Sequence, residues 1–297
     1  MPKRDLYQEV TDQIIASLEA GLEGEWEKPW VGRKGGLPYN ATTKRRYNGI
    51  NVLMLWSSAM KQGFNTDAWA SYKQWQERGA QVRKGQRGTM VVYVGKTTVE
   101  RETSDGDTEE QTVTFLKSSV VFNVDQVEGF SIAQDPLPEL ATRLEHAEAF
   151  VANTAATIHY GGTRACYIPS IDQVNMPPVE AFTDTSTSTA TEAFYGTLLH
   201  ELTHWTGAKH RCAREFGKRF GNDAYAAEEL VAELGAAYLC AHLGITSEPR
   251  ADHAKYIKSW LGVLRADKKA IFTAASKASE ACDFLCDLQA GAVAKAA

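Results

Sequence analysis

The peptide His-Glu-Leu-Thr-His at residues 200–204 constrains this 297-residue chain more than any other feature. His200 and His204 are four residues apart, so on a helix both imidazoles lie on one face. Leu198 and Leu199, just before them, continue a helical apolar pattern. Two imidazoles so placed can hold one divalent metal, with Glu201 beside them as the general base for a water molecule. The alternative interpretation is an ordinary helix that carries two surface histidines.

A catalytic metal site of this kind needs a third protein ligand. His210 is one candidate, although Gly207 is one residue too early for the extended motif that places a histidine there. The other candidate is a glutamate from a later helix. We predict Glu229 as the ligand and Glu233, one turn later, as the residue that orients a ligand histidine. Glu228 is expected to face solvent.

Two alternatives for these acids stay open. The roles of Glu229 and Glu233 can be exchanged, or all the acids of residues 228–233 can form an ordinary acidic helix face. For the metal itself we predict Zn²⁺, although two histidines and one glutamate also accept another divalent transition metal such as Mn²⁺.

The net charge of −5 conceals a strongly basic stretch in the first half of the chain. Residues 28–96 contain 13 lysines and arginines against only two acids, which gives this window a net charge of +11. Five of the seven tryptophans lie within the first 75 residues, whereas all seven histidines and all five cysteines follow residue 145. Two halves with such different chemistry predict two domains.

Cations and flat rings are interleaved in the basic window, as is typical of proteins that bind single-stranded nucleic acid. Cations hold the phosphates and rings stack on the bases. No helix-turn-helix or zinc-finger signature favours duplex binding. The residues predicted to contact single-stranded DNA are Trp30, Lys34, Lys44, Arg45, Arg46, Tyr47, Asn48, Trp69, Tyr72, Trp75, Arg83, Lys84 and Arg87. The alternative is that the tryptophans belong to the core and the cations only solvate the surface.

Periodicity predicts an α+β protein. The predicted helices are one from Leu6 that ends near Gly21, one over 50–60, one capped by residues 65–67 that runs to residue 76, one over 140–153, and three or four from residue 189 onwards. The predicted strands are 90–94 and 113–124, with shorter ones near Ile158 and Tyr167.

We therefore divide the chain into two domains and a linker. Residues 1–130 are predicted to form a single-stranded-DNA-binding domain of mixed helices and antiparallel strands. Residues 131–139, which contain prolines, are the linker. Residues 140–297 are predicted to form a mainly helical domain that carries the metal site.

Cysteine content and hydropathy bear on the compartment. Five cysteines without framework spacing favour reduced thiols and a cytoplasmic protein. The basic first residues are not followed by an apolar segment, so no secretory signal is expected. No apolar run approaches the ~20 residues of a membrane span, and we expect no membrane partner.

Several of these stretches resemble a known family. Arg-Tyr-Asn-Gly-Ile-Asn at residues 46–51 and Lys-Gly-Gln-Arg-Gly at residues 84–88 resemble the single-stranded-DNA-binding domain of ArdC-type antirestriction proteins, which is related to the N-terminal part of plasmid TraC primases. Residues 200–207 and 228–235 resemble the zincin-like metallopeptidase domain that follows it. The resemblance covers nearly the whole chain. It implies a protein of conjugative plasmids that protects incoming DNA from host restriction, in the cytoplasm of the recipient cell.

Three functions are compatible with these features. The first is an antirestriction protein that binds single-stranded DNA non-specifically and has a metal-dependent peptidase-like domain, with a host restriction protein as a possible substrate. The second is a DNA-dependent metalloprotease that acts on DNA-bound or crosslinked proteins. The third is a protein that coats single-stranded DNA and whose metal site is structural.

Overall fold

The computed structural model describes residues 5–22, 36–102, 108–132, 138–184, 188–216, 223–245 and 253–296. The helices are α1 (Leu6–Leu22), α2 (Ile50–Gln62), α3 (Tyr72–Glu77), α4 (Leu140–Asn153), α5 (Ala190–Thr206), α6 (Ala224–Leu243), α7 (His253–Ala266) and α8 (Ala270–Ala296). The strands are β1 (Tyr39–Asn40), β2 (Ala68–Ser71), β3 (Gln81–Val82), β4 (Thr89–Glu102), β5 (Thr108–Asn123), β6 (Val127–Glu128), β7 (Thr157–Tyr160), β8 (Cys166–Ile168) and β9 (Gln173–Met176). The predicted α+β class is confirmed.

A four-stranded sheet of order β1-β2-β5-β4 organises the N-terminal half. The pair β4–β5 is a long antiparallel hairpin with unbroken register from Thr89–Val121 to Glu102–Thr108. Strand β4 is one of the two edge strands, and α2 covers it: the Asn51 side chain both donates to the Val92 carbonyl and accepts from the Val92 amide. Strands β3 and β6 form a separate two-stranded sheet.

The predicted start of the third helix is wrong. Residues 65–67 precede strand β2, and α3 begins only at Tyr72. Ser71 caps it, since its hydroxyl accepts from the Gln74 amide while the Gln74 side chain accepts from the Ser71 amide. This reciprocal capping box fixes the chain direction after β2, and the sequence Ala68–Ser71 extends because its side chains are buried in the sheet.

The C-terminal half is mainly helical, as predicted, and carries one small sheet of order β7-β9-β8. Strand β8 pairs only with β9 among the described strands, so its other edge faces outwards from the sheet. Helix α5 begins with a second capping box, between Thr189 and Glu192. Helix α6 is buried along nearly its whole length because it packs between α5 and α8.

The first helix packs against the last ones. The Tyr7 ring contacts Phe272 edge to face, with centroids 4.7 Å apart. The Thr11 hydroxyl donates to the Lys268 carbonyl, and one hydrophobic core includes Val10 together with residues of α5, α6 and α8. Both halves of the sequence therefore contribute to the main core, and the domain boundary at residues 131–139 stays a prediction. None of the described helices is both long and apolar enough to cross a bilayer.

Candidate metal centre and nucleic-acid interface

Helix α5 presents the side chains of the 200–204 motif as its spacing predicted. His200 and Glu201 are buried, at 4% and 3% exposure, and His204 is half-buried. The two imidazoles meet edge to face, with 3.2 Å between their Nε2 atoms. The interpretation of two surface histidines is therefore at odds with the structure.

A glycine lets α6 cross α5 at short range. A Cβ atom on Gly235 would lie 2.5 Å from Thr203 Cγ2, closer than real contacts allow. Thr203 stands between the two histidines in sequence and is fully buried. The missing side chain thus brings the backbone of α6 against the middle of the motif, and Glu229 reaches the histidines from the opposite helix.

Three ligand atoms converge at this crossing. Glu229 Oε2 lies 3.6 Å from His200 Nε2, and Glu229 Oε1 lies 3.5 Å from His204 Nε2. One ligand atom from each of these residues falls within 4.8 Å of the others. Ligands held about 2.0–2.1 Å from one tetrahedral ion are about 3.3 Å apart, so the residues fit a divalent metal bound between them.

Electrostatics favours a charged carboxylate at this point. Burial alone would raise the pKa of Glu229, but the two imidazoles outweigh burial and hold that pKa well below its ordinary value. Burial alone would likewise lower the pKa of His204, but Glu228 and Glu229 outweigh burial and raise that pKa to about 9. The carboxylate is thus ready to ligate, whereas His204 releases a proton when a metal takes its place.

Glu233 lies beside the outer nitrogen of a ligand histidine. Its Oε2 is 3.7 Å from His200 Nδ1, slightly beyond hydrogen-bond distance. Among the described residues, that buried Nδ1 atom has no hydrogen-bond partner. A carboxylate in this position can orient a ligand imidazole once the contact closes. The roles of Glu229 as ligand and Glu233 as its partner stay a prediction.

Glu228 does not face solvent, contrary to the expectation from sequence. Its carboxylate accepts two hydrogen bonds from Arg214, at 2.7 and 3.1 Å, and its Oε1 lies 3.2 Å from His204 Nδ1. Burial raises the pKa of Glu228, but His204 and Arg214 outweigh it and hold that pKa below its ordinary value. Glu228 therefore lies beside the outer nitrogen of His204, as Glu233 lies beside that of His200.

Arg214 has no sequence signal, because it lies in the turn after α5. Its guanidinium is buried and donates to the Thr203 carbonyl and the Thr206 hydroxyl, both at 2.6 Å. These are the last turns of α5, where carbonyl groups lack helical partners. One side chain thus closes the helix and fixes Glu228.

A cleft of about 1020 Å³ opens onto the metal centre. Glu201 and the three candidate ligands line it, together with the outer edge of β8 and the exposed ring of Tyr225. Arg211 holds the β8–β9 turn against the end of α5: it donates to both carboxylate oxygens of Asp172 and stacks 3.8 Å from the Trp205 ring.

His210, the rejected alternative ligand, is 65% exposed in its side chain and lies 3.5 Å from Asp172. It belongs to the rim of the cleft, and the cluster of possible ligands contains only His200, His204 and Glu229 among the described residues.

Two of the residues predicted to stack on DNA bases are buried. Trp69 and Trp75 are 1% and 0% exposed, and the Trp75 indole donates to the Phe122 carbonyl at 3.0 Å. For these two rings the prediction of base stacking is wrong, since the core interpretation accounts for them. Trp30 and Lys34 lie outside the described residues.

The remaining predicted contacts are accessible. Tyr72 is 42% exposed and meets Phe122 edge to face, whereas Tyr47 is half-buried against the core. The exposed residues of the set are Lys44, Arg45, Arg46 and Asn48 in the loop after β1, and Arg83, Lys84 and Arg87 in the turn after β3. Arg46 also reaches across to α6, where its guanidinium lies 2.7 Å from His242 Nδ1. That these residues bind DNA stays a prediction.

Two family models match the chain. Residues 4–122 match the N-terminal domain of anti-restriction factor ArdC, and residues 145–277 match a zincin-like metallopeptidase. Together they cover the basic window and the metal centre.

Similar proteins cover the chain almost completely. The uncharacterized protein y4eC of Sinorhizobium fredii (strain NBRC 101917 / NGR234) is 43% identical over 95% of this chain and 91% of its own length. DNA primase TraC of Escherichia coli is 36% identical over 95% of this chain, which spans only 27% of that primase.

Two solved structures have the same fold. The metal-free antirestriction protein ArdC from plasmid R388 superimposes with a TM-score of 0.79 at 39% identity, and covers 97% of this chain and 99% of its own. The Mn(II)-bound form of that protein gives a TM-score of 0.76 at 38% identity, with the same coverage. With both regions matched and near-complete relatives above one-third identity, this chain belongs to the ArdC family of antirestriction proteins.

Proposed function

We propose that this protein protects incoming DNA from restriction, binds single-stranded DNA through its N-terminal half, and hydrolyses peptide bonds at the metal centre of its C-terminal half. The observation that carries the peptidase part is the convergence of His200, His204 and Glu229 at the floor of an open cleft. A structural metal is enclosed by four protein ligands, whereas a catalytic one keeps an open position. Three protein ligands beside a cleft favour catalysis over a purely structural role.

The residues of the cleft divide the chemical work. When bound, a divalent metal such as Zn²⁺ or Mn²⁺ supplies Lewis acidity that polarises a carbonyl group. Glu201 accepts a proton from the attacking water and returns it to the leaving amine. Glu228 and Glu233 hold the two imidazoles in the orientation that a metal needs. The outer edge of β8 can pair with an extended peptide.

The DNA-binding part rests on charge and exposure. The basic window carries a net charge of +11, and its exposed cations lie in the loop after β1 and in the turn after β3. Binding through phosphates makes the affinity fall steeply with salt and leaves sequence preference low. The resemblance to ArdC of plasmid R388 supplies the physiological role, protection against restriction.

The test separates the three candidate functions with the variant Glu201→Gln. Four quantities are measured on the full chain: bound metal, affinity for single-stranded DNA, cleavage of a protein substrate with and without DNA, and survival of unmodified DNA in a restricting host. We expect metal and DNA binding to remain and cleavage to disappear. The matched control is Glu215→Gln, an exposed acid that lines the same cleft.

Each pattern of results has one meaning. Loss of cleavage together with loss of protection supports a peptidase that acts in antirestriction. Cleavage that requires DNA, with protection intact in the variant, supports a DNA-dependent protease with another role. Absence of cleavage in the unmodified protein, with protection unchanged in Glu201→Gln, overturns the peptidase part and leaves a DNA-coating protein.

A further inference from the structure

A cavity separate from the metal cleft lies between the basic loop and the C-terminal helices. It has a volume of about 560 Å³, and its walls come from the loop after β1, the start of α4 and the end of α6. Five basic side chains line it: Lys44 and Arg46 from the loop, Arg143 and His146 from α4, and His242 from α6. None of the described lining residues is acidic.

Only part of this basic lining is used to satisfy the carbonyl groups at the end of α6. The carbonyl groups at the C-terminus of α6 attract cations, and Arg143 meets this need by donating to the Gly244 carbonyl. Arg143 is also 3.8 Å from Glu192, which offsets part of its charge. Arg46 is held by His242 through one nitrogen, at 2.7 Å, and within the described part of the chain its guanidinium forms no other hydrogen bond.

Lys44 is placed for a ligand. Its backbone is in the left-handed region, with a φ of 62°, and its ammonium group lies 5.5 Å from the centre of the Tyr39 ring. Within the described ranges neither Lys44 nor Arg46 forms an ion pair with a carboxylate, and both side chains are exposed. Tyr39 adds a flat wall to the same cavity.

We infer that this cavity binds a phosphate group of the single strand, so that Arg143 and His146 of the C-terminal half contact the nucleic acid together with Lys44 and Arg46. Guanidinium and ammonium groups that converge on a cavity are the usual receptors for a phosphodiester. No acid belongs to the described lining, and the Glu192 carboxylate, 3.8 Å from Arg143, lies outside it. The cavity is large enough for a nucleotide, with a base or sugar against Tyr39. The inference rests on the proposed binding of single-stranded DNA.

The strand then spans both halves of the chain. Arg46 and His242 join the basic loop to α6, the same helix that carries Glu229 at its other end. A strand in this cavity would therefore contact a rigid element of the metal centre.

The experiment measures affinity of the full chain for a short oligothymidylate across roughly 50 to 200 mM salt. The variants are Lys44→Asn in the basic loop, and His146→Asn and Arg143→Gln in the C-terminal half. Asparagine is chosen at position 44 because it tolerates the left-handed backbone there. Lys277→Gln, on α8 outside the described lining of the cavity and paired with Glu280, is the matched control. Metal content and melting temperature report that each variant is folded.

We expect each of Lys44→Asn and Arg143→Gln to lower affinity several-fold and to reduce the salt slope by about 0.7 for a lost phosphate contact. His146→Asn is the second C-terminal variant, in case Arg143→Gln fails to fold, and should lower affinity without a change in metal content. If the unmodified protein binds the strand and all three variants match it in affinity and slope, the cavity assignment is wrong and the proposed DNA binding stands.

A separate arm distinguishes a free phosphate from a strand. Inorganic pyrophosphate is titrated against the unmodified protein and Lys44→Asn, with the melting temperature as the readout. If no oligonucleotide binds but pyrophosphate stabilises only the unmodified protein, the proposed DNA binding fails while the cavity remains a phosphate site. If neither ligand binds, both proposals are overturned.

Discussion

Gly235 faces Thr203 so closely that a single methyl group cannot be placed between them: an added Cβ would be 2.5 Å from Thr203 Cγ2 and 2.7 Å from its Oγ1. The contact sets the distance between α5 and α6, and with it the separation of Glu229 from the two histidines. The geometry of the metal centre therefore depends on a residue that is not a ligand.

Gly235→Ala is expected to destabilise the protein by about 1–3 kcal/mol, because overpacking pushes the two helices apart. Metal affinity should fall with it. Addition of Thr203→Ala removes the two nearest atoms and leaves only Thr203 Cβ, at 3.2 Å, so the double variant should recover part of both losses. Thermal unfolding and metal titration provide the measurements.

The control for this prediction is Gly262→Ala in α7, where nothing lies within 4 Å of an added Cβ. Alanine is favoured over glycine inside a helix by roughly 0.5–1 kcal/mol, so this variant should be stabilised. Equal effects at the two glycines would contradict the packing argument.

The two acids of α6 should differ in their effect on metal binding. Glu229→Gln removes a ligand charge and should abolish stoichiometric binding of Zn²⁺ or Mn²⁺. Glu233→Gln removes only a partner of His200, and affinity should fall about 10–100-fold while one ion still binds. Elemental analysis and competition with a chelator measure both. The reverse pattern would show that the two residues have exchanged roles.

Arg214 should be more important for stability than its position in a turn suggests. Arg214→Gln leaves the Glu228 carboxylate without its two strong hydrogen bonds and removes one of the two donors to the Thr203 carbonyl, the other being the Thr206 hydroxyl. We expect a loss of about 3 kcal/mol, as for other buried pairs with one partner removed. Denaturant unfolding measures this loss.

Two further variants serve as controls for the loss of stability expected at Arg214. Arg214→Lys should recover only part of the loss, since an ammonium group lacks the forked geometry. Arg265→Gln breaks an exposed pair with Glu19 and should change stability by less than about 1 kcal/mol. A loss at Arg214 no larger than that at Arg265 would refute the assigned role.

Much of the metal centre is readable from sequence because helix spacing is local. The four-residue interval of the histidines places them on a common face, and one further helix supplies Glu229 and Glu233 as the candidates for a third ligand and its partner. Arg214 is not readable, because its partners come together only when the turn after α5 folds back. The surroundings of Glu228 are not readable for the same reason: an isolated helix predicts a solvent-facing acid, whereas in the folded chain Arg214 binds its carboxylate.

The N-terminal half illustrates the opposite limit. Composition identifies a basic, aromatic window but does not tell which rings are exposed. Trp69 is buried because β2 is an inner strand of the sheet, and this depends on pairing with β5, more than fifty residues away. The helix start at residues 65–67 fails likewise, since the same long-range pairing extends Ala68–Ser71.

The stability of the β8–β9 turn should depend on pH through Asp172. The hydrogen bonds from Arg211 lower the pKa of Asp172 from 3.8 to about 2, because they outweigh burial, which alone would raise that pKa. Because its pKa is lowered in the folded state, the charged Asp172 stabilises the fold at pH values above 3.8, the ordinary pKa of the carboxyl group. This stabilisation is lost as the pH falls through the lowered pKa of about 2. Asp172→Asn should therefore cost less than about 1 kcal/mol at neutral pH, because the side chain is 43% exposed.

The measurement for Asp172 is denaturant unfolding of both proteins from neutral pH down to about pH 2. The difference in unfolding free energy between them should shrink as the aspartate protonates. Asparagine keeps the left-handed backbone, with its φ of 49°, without strain. A difference that stayed constant down to the lowest pH would show that charge is not its cause.

Tyr72 and Trp75 should separate nucleic-acid binding from folding, although they are neighbours on α3. Tyr72 is exposed, so Tyr72→Ala should weaken binding to single strands by about 1–3 kcal/mol and leave stability nearly unchanged. Trp75 is buried and hydrogen-bonded to Phe122, so Trp75→Ala should cost about 3–5 kcal/mol of stability. Fluorescence anisotropy with an oligonucleotide and thermal unfolding, applied to both variants, measure the two effects. If Tyr72→Ala binds as tightly as the unmodified protein, base stacking must be assigned to another exposed ring, and Tyr93, at 66% exposure on the hairpin, is the next to replace.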